Sequence, residues 1–178
     1  MSKNQGKIFE EDWKKSMPNY ALLYRIPDPA QSFGGSNNLR FSRKPDFDFI
    51  LWDSQRHILY ALELKTVGGK SISFERSDKD HGEIHANQIN GLNKWNAYDG
   101  IVCGVIVNFR GIKKTVFIDI SEINRIINNT PKKSFNFDDL EKHQIKYTTI
   151  SQWKLKTRYR YDADGFLNGQ LNNTERGN

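Results

Sequence analysis

The segment from Asp46 to Thr66 carries the strongest structural signal in the chain, and it reads DFDFILWDSQRHILYALELKT. Two runs, 47–52 and 58–66, are rich in Phe, Ile, Leu and Tyr, and a polar turn at 53–56 separates them. Such runs on either side of a short polar turn predict two antiparallel strands joined as a hairpin. We therefore place this hairpin at the centre of the fold.

The elements around the hairpin predict an α/β domain. The 101–109 run is almost continuously apolar, which is typical of a central strand buried on both faces. The patterns predict further helices over 7–16, 83–98 and 121–128, a helical turn over 138–142, and strands over 20–26, 115–120 and 145–150. This order of helices and strands favours a single domain with a mixed central β-sheet flanked by helices.

Two segments fall outside this regular pattern. Residues 27–45 form a long connection with Gly and Asn at its centre, and we predict a flexible, projecting loop there. Residues 166–178 are rich in Asn, Gly and charge, which predicts a disordered tail. The folded domain is accordingly expected to span residues 1–165.

Composition narrows the class of protein. The chain has 178 residues, a formal net charge of +6 and one Cys. A single Cys excludes an intramolecular disulfide framework and a Cys-based zinc site. No apolar run approaches the roughly 20 residues of a membrane helix, and the first residues lack the apolar core of a signal peptide. We therefore expect a cytoplasmic protein with no membrane partner.

The hairpin also carries charged side chains. Because side chains alternate along a strand, Glu63 and Lys65 are expected on one face of the second strand. The same alternation predicts that Phe47, Phe49 and Leu51 share one face of the first strand. Acids next to strongly apolar strands suggest a site, although a solvated ion-pair surface is the ordinary explanation for such a pattern.

The register of the hairpin decides which acids meet. A turn centred between positions 55 and 56 places Asp48 opposite Glu63, whereas a turn centred between 54 and 55 places Asp46 there. Two carboxylates facing each other across about 5 Å repel unless a cation lies between them. Their hard oxygen atoms suit Mg²⁺ or Mn²⁺.

Clustered cations point to a polyanion partner. Residues 151–161 read SQWKLKTRYRY, with four cations, interleaved aromatics and no acid. Such a segment can follow a phosphate backbone and stack on bases, or it can be solvated surface and a protected strand edge. The candidate DNA contacts in the two densest clusters are Arg40, Arg43, Lys44, Lys154, Lys156, Arg158 and Arg160.

The hairpin motif resembles a known nuclease signature. Asp48, followed by Ala61-Leu62-Glu63-Leu64-Lys65, resembles the Asp…Glu-x-Lys core of the PD-(D/E)xK nuclease superfamily. More narrowly, the chain is similar to RecU-type Holliday junction resolvases of phages and prophages. The supporting stretches, in the order found in that family, are GKIFEE (6–11), SFGG (32–35), GKSISF (69–74), NQI (87–89) and IVNFR (106–110).

The resemblance implies a restriction-endonuclease-like core and a set of site residues. Asp48 and Glu63 would bind the divalent metal, Mg²⁺ or Mn²⁺, with Asp46 as the alternative ligand. Lys65 would orient or activate the attacking water and stabilise charge near the scissile phosphate, and Gln88 and Glu10 would be auxiliary catalytic residues. Lys70 and Arg110, which lie in two of the matching stretches, would be further DNA contacts, and the 27–45 loop would be the stalk that enters the junction.

The implied function is resolution of four-way DNA junctions during recombination and repair, by paired phosphodiester hydrolysis. Branched DNA would be the substrate, and a C2 homodimer would supply two sites for two symmetric cuts. Two alternatives stay open: another nuclease with the same core, of restriction or nicking type, and a DNA-binding module without catalysis.

Overall fold

The computed structural model describes residues 4–27 and 45–174, with side chains described as far as Gln170. The predicted 27–45 loop therefore lies almost wholly outside the described residues, as do Arg40, Arg43 and Lys44. Across the two described ranges, no helix is both long and apolar enough to cross a membrane.

A six-stranded mixed sheet forms the centre of the molecule. The elements are α1 (Gln5–Lys14), β1 (Ala21–Arg25), β2 (Phe49–Asp53), β3 (Ile58–Val67), β4 (Ser71–Ser73), α2 (Ala86–Trp95), β5 (Ile101–Phe109), a 3₁₀ turn (Arg110–Ile112), β6 (Lys114–Asp119), α3 (Ile120–Asn129), β7 (Ser134–Asn136), α4 (Phe137–Lys142), β8 (Thr148–Thr149), β9 (Gln152–Lys154), β10 (Tyr159–Tyr161) and α5 (Ala163–Thr174). The sheet order is β1-β2-β3-β5-β6-β8. Its β3–β5 pair is parallel and its other pairs are antiparallel.

This architecture confirms the predicted α/β domain with a mixed sheet between helices. The strand predicted over 101–109 is β5, with the same bounds, and residues 103–109 of it are buried. Burial on both faces explains why its sequence is apolar at nearly every position rather than at alternate ones. Two short ribbons, β4–β7 and β9–β10, pair outside the main sheet.

The sheet is packed on both faces, and we name the faces by their helices. On the α2 face, Ala61 of β3 belongs to one core cluster with Leu92 of α2 and Ile123 of α3. On the α1 face, Tyr60 belongs to a second cluster with Trp13 of α1, and Phe166 and Leu167 of α5 join them. The strict alternation of Tyr60 and Ala61 follows from the strand geometry.

Phe47 does not share a face with Phe49 and Leu51, so that prediction was wrong. Residues 46–48 form a bend before β2, and alternation starts only at Phe49. Phe47 instead packs on the α2 face, with its ring 5.1 Å from the Trp95 ring.

The predicted disordered tail was also wrong over most of its length. Helix α5 runs through Ala163–Thr174, while residues 175–178 lie outside the described part. The helix is held by a short apolar pair, Phe166 and Leu167, which is buried against the α1 face. The polar composition of the segment hid this anchor, which includes buried Ala163 of the same helix as well.

Candidate functional site

The register of the central hairpin brings Asp48 to Glu63. Phe49 pairs with Leu62, so the residue before β2 faces Glu63, as expected for a turn centred between positions 55 and 56. The Leu64 backbone N–H donates to Asp48 Oδ2 at 3.0 Å, which fixes that carboxylate at the end of the hairpin. Of the two registers that the sequence left open, the one with Asp48 opposite Glu63 is confirmed.

Glu63 is the most unusual side chain at this site, because it is a carboxylate that is 1% exposed in the α2 face of the sheet. Its Oε1 lies 2.7 Å from the Lys65 ammonium and accepts a 2.6 Å hydrogen bond from Gln88 Nε2. Its Oε2 is buried and has no hydrogen-bond partner among the described residues. A buried polar atom without a partner is costly, and among the four such side-chain atoms of the described residues Glu63 Oε2 is the one that belongs to a carboxylate, with a second acid, Asp48, beside it.

The pKa of Glu63 supports the same conclusion. Burial raises this pKa from an ordinary 4.5 to about 8, the Lys65 ammonium opposes the rise, and the Asp48 carboxylate adds to it. At neutral pH the group therefore favours a bound proton unless a further positive charge takes the proton's place. A cation bound between Asp48 and Glu63 would supply that charge.

Gln88 is oriented by its own helix. Its Oε1 accepts a 2.9 Å hydrogen bond from the His85 backbone N–H, so its Nε2 must face Glu63. His85 precedes the first residue of α2, and the His85-x-x-Gln88 spacing matches one half of a capping box. The sequence placed Gln88 on this helix, and the spacing could also have predicted the bond that holds it.

Glu75 is a supporting residue that the sequence analysis missed. Its Oε1 lies 2.8 Å from His85 Nδ1, and its Oε2 accepts a 2.9 Å bond from the Ala86 N–H. These contacts fix the start of α2 and hence the position of Gln88. Nothing in the local sequence around Glu75 signals this role, because the contacts depend on how a loop folds back onto a helix.

Asp46 lies against α2, close to Gly91. Helix α2 approaches so closely that a Cβ added at Gly91 would lie 2.3 Å from the Asp46 Cβ. A glycine is thus needed at position 91 for this contact. The arrangement favours Asp48 over Asp46 as the acid that acts with Glu63.

The residues fit a hard divalent cation. Glu63 supplies an unpartnered buried oxygen, and Asp48 lies next to it. Within residues 4–27 and 45–174, no group of three or more His, Cys, Asp or Glu side chains could hold a metal. Mg²⁺ needs no such group, because it is commonly held by one or two carboxylates together with water and substrate phosphates.

The remaining predicted residues are spread around the molecule. Glu10 projects from α1, on the other side of the sheet, and accepts a 2.7 Å ion-pair hydrogen bond from Arg25 Nε. Lys70 forms an exposed ion pair of 3.3 Å with Asp138. The structure does not bring Glu10 or Lys70 into any hydrogen bond with Glu63, and their predicted roles stay predictions.

The basic segment 151–161 forms the β9–β10 hairpin, and its four cations divide into two pairs. Lys154 and Lys156 are exposed and extend into solvent. Arg158 instead donates to Asp12 at 2.6 Å, and Arg160 lies 3.9 Å from the same carboxylate. The two lysines are therefore the more accessible of the predicted DNA contacts.

Comparison with models of known families finds no match. Over 147 residues the chain is 29% identical to the SPbeta prophage-derived uncharacterized protein YotM of Bacillus subtilis (strain 168). The aligned part is 82% of this chain and 65% of that protein, so the chain spans slightly less than two thirds of its relative's length. The similarity connects the chain to a prophage protein of unassigned activity.

Proposed function

We propose that this chain is a divalent-metal-dependent endonuclease with a restriction-endonuclease-like core. The observation that carries the proposal is the unpartnered Oε2 of buried Glu63, beside Asp48 and with Lys65 bound to the other oxygen. A structural ion pair would satisfy both carboxylate oxygens. Here one oxygen is left for a ligand, and the acid–acid–lysine set is the one on which the sequence resemblance rests.

Each side chain has a part in the proposed reaction. Asp48 and Glu63 would hold the cation, which supplies positive charge for the scissile phosphate and lowers the pKa of attacking water. Lys65 and Gln88 hold Glu63 Oε1, so that the opposite oxygen keeps a fixed direction. The Lys65 ammonium, 17% exposed, can also contact an incoming phosphate and stabilise the charge that develops during attack.

We further propose that the substrate is a four-way DNA junction, cut by a C2 homodimer during recombination and repair. The ordered motifs of the RecU-type resemblance support this substrate, and a prophage relative is consistent with it. Paired cuts in a two-fold symmetric junction need two sites related by the same symmetry.

A panel of labelled four-way junction, fork and linear duplex, each incubated with Mg²⁺ and with Mn²⁺, tests both proposals. The wild-type protein should cut the junction in preference, with two nicks placed symmetrically. Lys65→Ala should lower the rate at least about a hundredfold, whereas the exposed matched control Lys142→Ala should cut like the wild type.

The other outcomes separate the alternatives. Equal cleavage of all three DNAs would reject junction resolution and leave a nuclease of restriction or nicking type. Binding without cleavage in either metal would leave a non-catalytic DNA-binding module. Full cleavage by Lys65→Ala would remove this lysine from the mechanism.

A further inference from the structure

A cleft of about 740 Å³ opens on the α1 face, on the other side of the sheet from Glu63. Its walls come from α1, the 3₁₀ turn after β5 and the β9–β10 hairpin. Thr66 lines the cleft and follows Lys65 directly in β3, so the two side chains leave the strand on opposite faces. The cleft and the candidate site therefore share the same end of β3.

The floor of the cleft is a polar network built around Gln152. Gln152 Oε1 accepts hydrogen bonds from Thr115 at 2.5 Å and from Asn108 at 3.1 Å, and Asn108 Oδ1 accepts from Thr66 at 3.1 Å. With its oxygen held by two donors, the amide of Gln152 must turn its Nε2 away from them. This nitrogen has no hydrogen-bond partner in the described part of the chain, which leaves two N–H donors for a ligand in the cleft.

The rim of the cleft is positive. Arg110 and Lys113 line it and form no ion pair with any described residue. The third cation, Arg158, is paired with two acids that also line the cleft, Asp12 and Glu11, at 2.6 and 2.8 Å, so the lining as a whole has a net charge of +1. Two cations thus remain for an anionic group at the mouth of the cleft.

Aromatic and apolar side chains lie on the hairpin that forms one wall. Tyr159 lines the cleft itself. On the same hairpin Trp153 is 51% exposed and Leu155 is 43% exposed, and they alternate with Lys154 and Lys156. Because Trp153 pairs with Arg160 and alternates with Gln152, it lies on the face of the hairpin away from the cleft, and the aromatic side chains that the hairpin offers to the cleft are Tyr159 and Tyr161.

We propose that this cleft binds an unpaired nucleotide of a single-stranded DNA segment. The phosphate would lie against Arg110 and Lys113, and the base edge would accept from Gln152 Nε2. The volume falls within the roughly 300–1,000 Å³ of small-ligand pockets, which suits one or two nucleotides rather than a duplex. A duplex keeps its bases stacked and paired, so only an unpaired segment can present a base to such a floor.

This proposal deepens the proposed nuclease function, since an unpaired segment occurs where a branched DNA opens. It does not depend on cleavage, because binding is measured with EDTA present. The probe is a fluorescein-labelled ten-residue oligo-dT, compared by anisotropy with a duplex of the same length over a range of salt concentrations. If the protein binds oligo-dT but never cuts DNA, the binding role proposed for the cleft stands and the nuclease proposal is rejected.

The variants address the rim and the floor separately. The double variant Arg110→Ala/Lys113→Ala should weaken oligo-dT binding about tenfold or more and lower the salt slope by about 1.4, since each single-strand phosphate contact contributes about 0.7. Gln152→Ala should weaken oligo-dT binding about fivefold while leaving duplex binding unchanged. Lys142→Ala is the matched control, with binding like the wild type.

The result that overturns the proposal is unchanged oligo-dT affinity in the rim variant, whose exposed side chains can be removed without loss of the fold. An equal loss for duplex and oligo-dT in both variants would also reject an unpaired nucleotide, because it would reduce the cleft to a general phosphate contact. Thermal unfolding of Gln152→Ala checks that its polar neighbours remain folded.

Discussion

Glu63 and Asp12 are two acids with the same burial and opposite surroundings. Each is 1% exposed, and each lies beside a cation: Lys65 of the same strand for Glu63, and Arg158 of the β9–β10 connection for Asp12. Asp12 has both oxygens bonded: Oδ1 accepts from Arg158 Nε at 2.6 Å, and Oδ2 accepts from the Tyr159 backbone N–H at 3.0 Å. Glu63 has two bonds on one oxygen and none on the other among the described residues.

The difference separates an architectural acid from a candidate ligand-binding acid. Asp12 connects α1 to the β9–β10 hairpin, and both oxygens of its carboxylate accept hydrogen bonds from that hairpin. Glu63 is held in place by Lys65 and Gln88 through one oxygen, while its other oxygen has no hydrogen-bond partner among the described residues. Burial and an ion pair are common to both, so neither property distinguishes the two acids; the unsatisfied oxygen does.

The largest expected effect comes from Glu63→Gln. The amide keeps the shape but loses the charge that holds a cation, so Mg²⁺-dependent cleavage should fall by about a thousandfold or more. Unfolding free energy in EDTA at pH 8 should stay equal or rise, because a buried neutral group replaces an acid with a poorly solvated charged form. Cleavage kinetics and urea unfolding on the same preparation give both values.

Retained cleavage in Glu63→Gln would remove the main support of the proposed function. A large loss of stability would instead assign Glu63 the same architectural role as Asp12 and so erase the contrast between them.

Asp12→Asn should show the reverse behaviour. The change leaves the Arg158 guanidinium without its buried partner and turns an amide N–H toward donors, which should cost about 3 kcal/mol of unfolding free energy. Cleavage per folded molecule should be unchanged at low temperature. Urea unfolding measures the first quantity and active-site-normalised rates measure the second; a stability like that of the wild type would show that the hairpin is held by other contacts.

The next prediction concerns the contribution of Glu63 to the pH dependence of the unfolding free energy. Its folded pKa of about 8 exceeds its ordinary 4.5, so the folded protein binds the extra proton between these values. The stabilisation is complete below pH 4.5 and is lost as the pH rises through 8, by roughly 5 kcal/mol in EDTA. The measurement is the difference between wild-type and Glu63→Gln unfolding free energies from pH 5 to 8.5, which removes the contribution of histidines. No pH dependence in that difference would contradict the raised pKa.

Saturating Mg²⁺ should reduce this loss, because a cation then replaces the proton between Asp48 and Glu63. A metal effect that is the same at pH 6 and pH 8 would place the ion elsewhere.

The smallest expected effect comes from Gln88→Ala, which removes one of the two bonds to Glu63 Oε1. The Mg²⁺ concentration needed for half-maximal cleavage should rise about tenfold, while the thermal unfolding midpoint moves little. Lys94→Ala, an exposed change on the same helix, is the matched control. An unchanged metal requirement would show that Lys65 alone fixes Glu63.

The sequence predicted most of the sheet because its signals are local. The apolar run of β5 indicates burial on both faces of that strand. Two apolar runs separated by a polar turn indicate the β2–β3 hairpin. The sequence could not choose between Asp46 and Asp48, since the register depends on the turn. In that turn His57 adopts a φ of 56°, a left-handed conformation that Gly or Asn would have signalled and His does not.

Contacts between distant segments could not be predicted either, because they depend on how the folded chain brings those segments together. Gln88 reaches Glu63 across 25 residues of sequence, and Glu75 reaches His85 through a folded loop. The sequence placed Gln88 on a helix, but its partner and the unsatisfied oxygen of Glu63 emerge only from packing. Helix α5 was missed because one buried apolar pair outweighs a polar composition.

The order of synthesis gives the α1 face a particular vulnerability. Phe9 and Trp13 pack against Tyr161 and Phe166, and Asp12 is bonded to a residue 147 positions later. A ribosome therefore releases α1 long before its aromatic partners exist. Until they emerge, the apolar side of α1 and the α1 face of β3 are exposed to other chains, and this interval is when the protein is most open to aggregation and most dependent on chaperones.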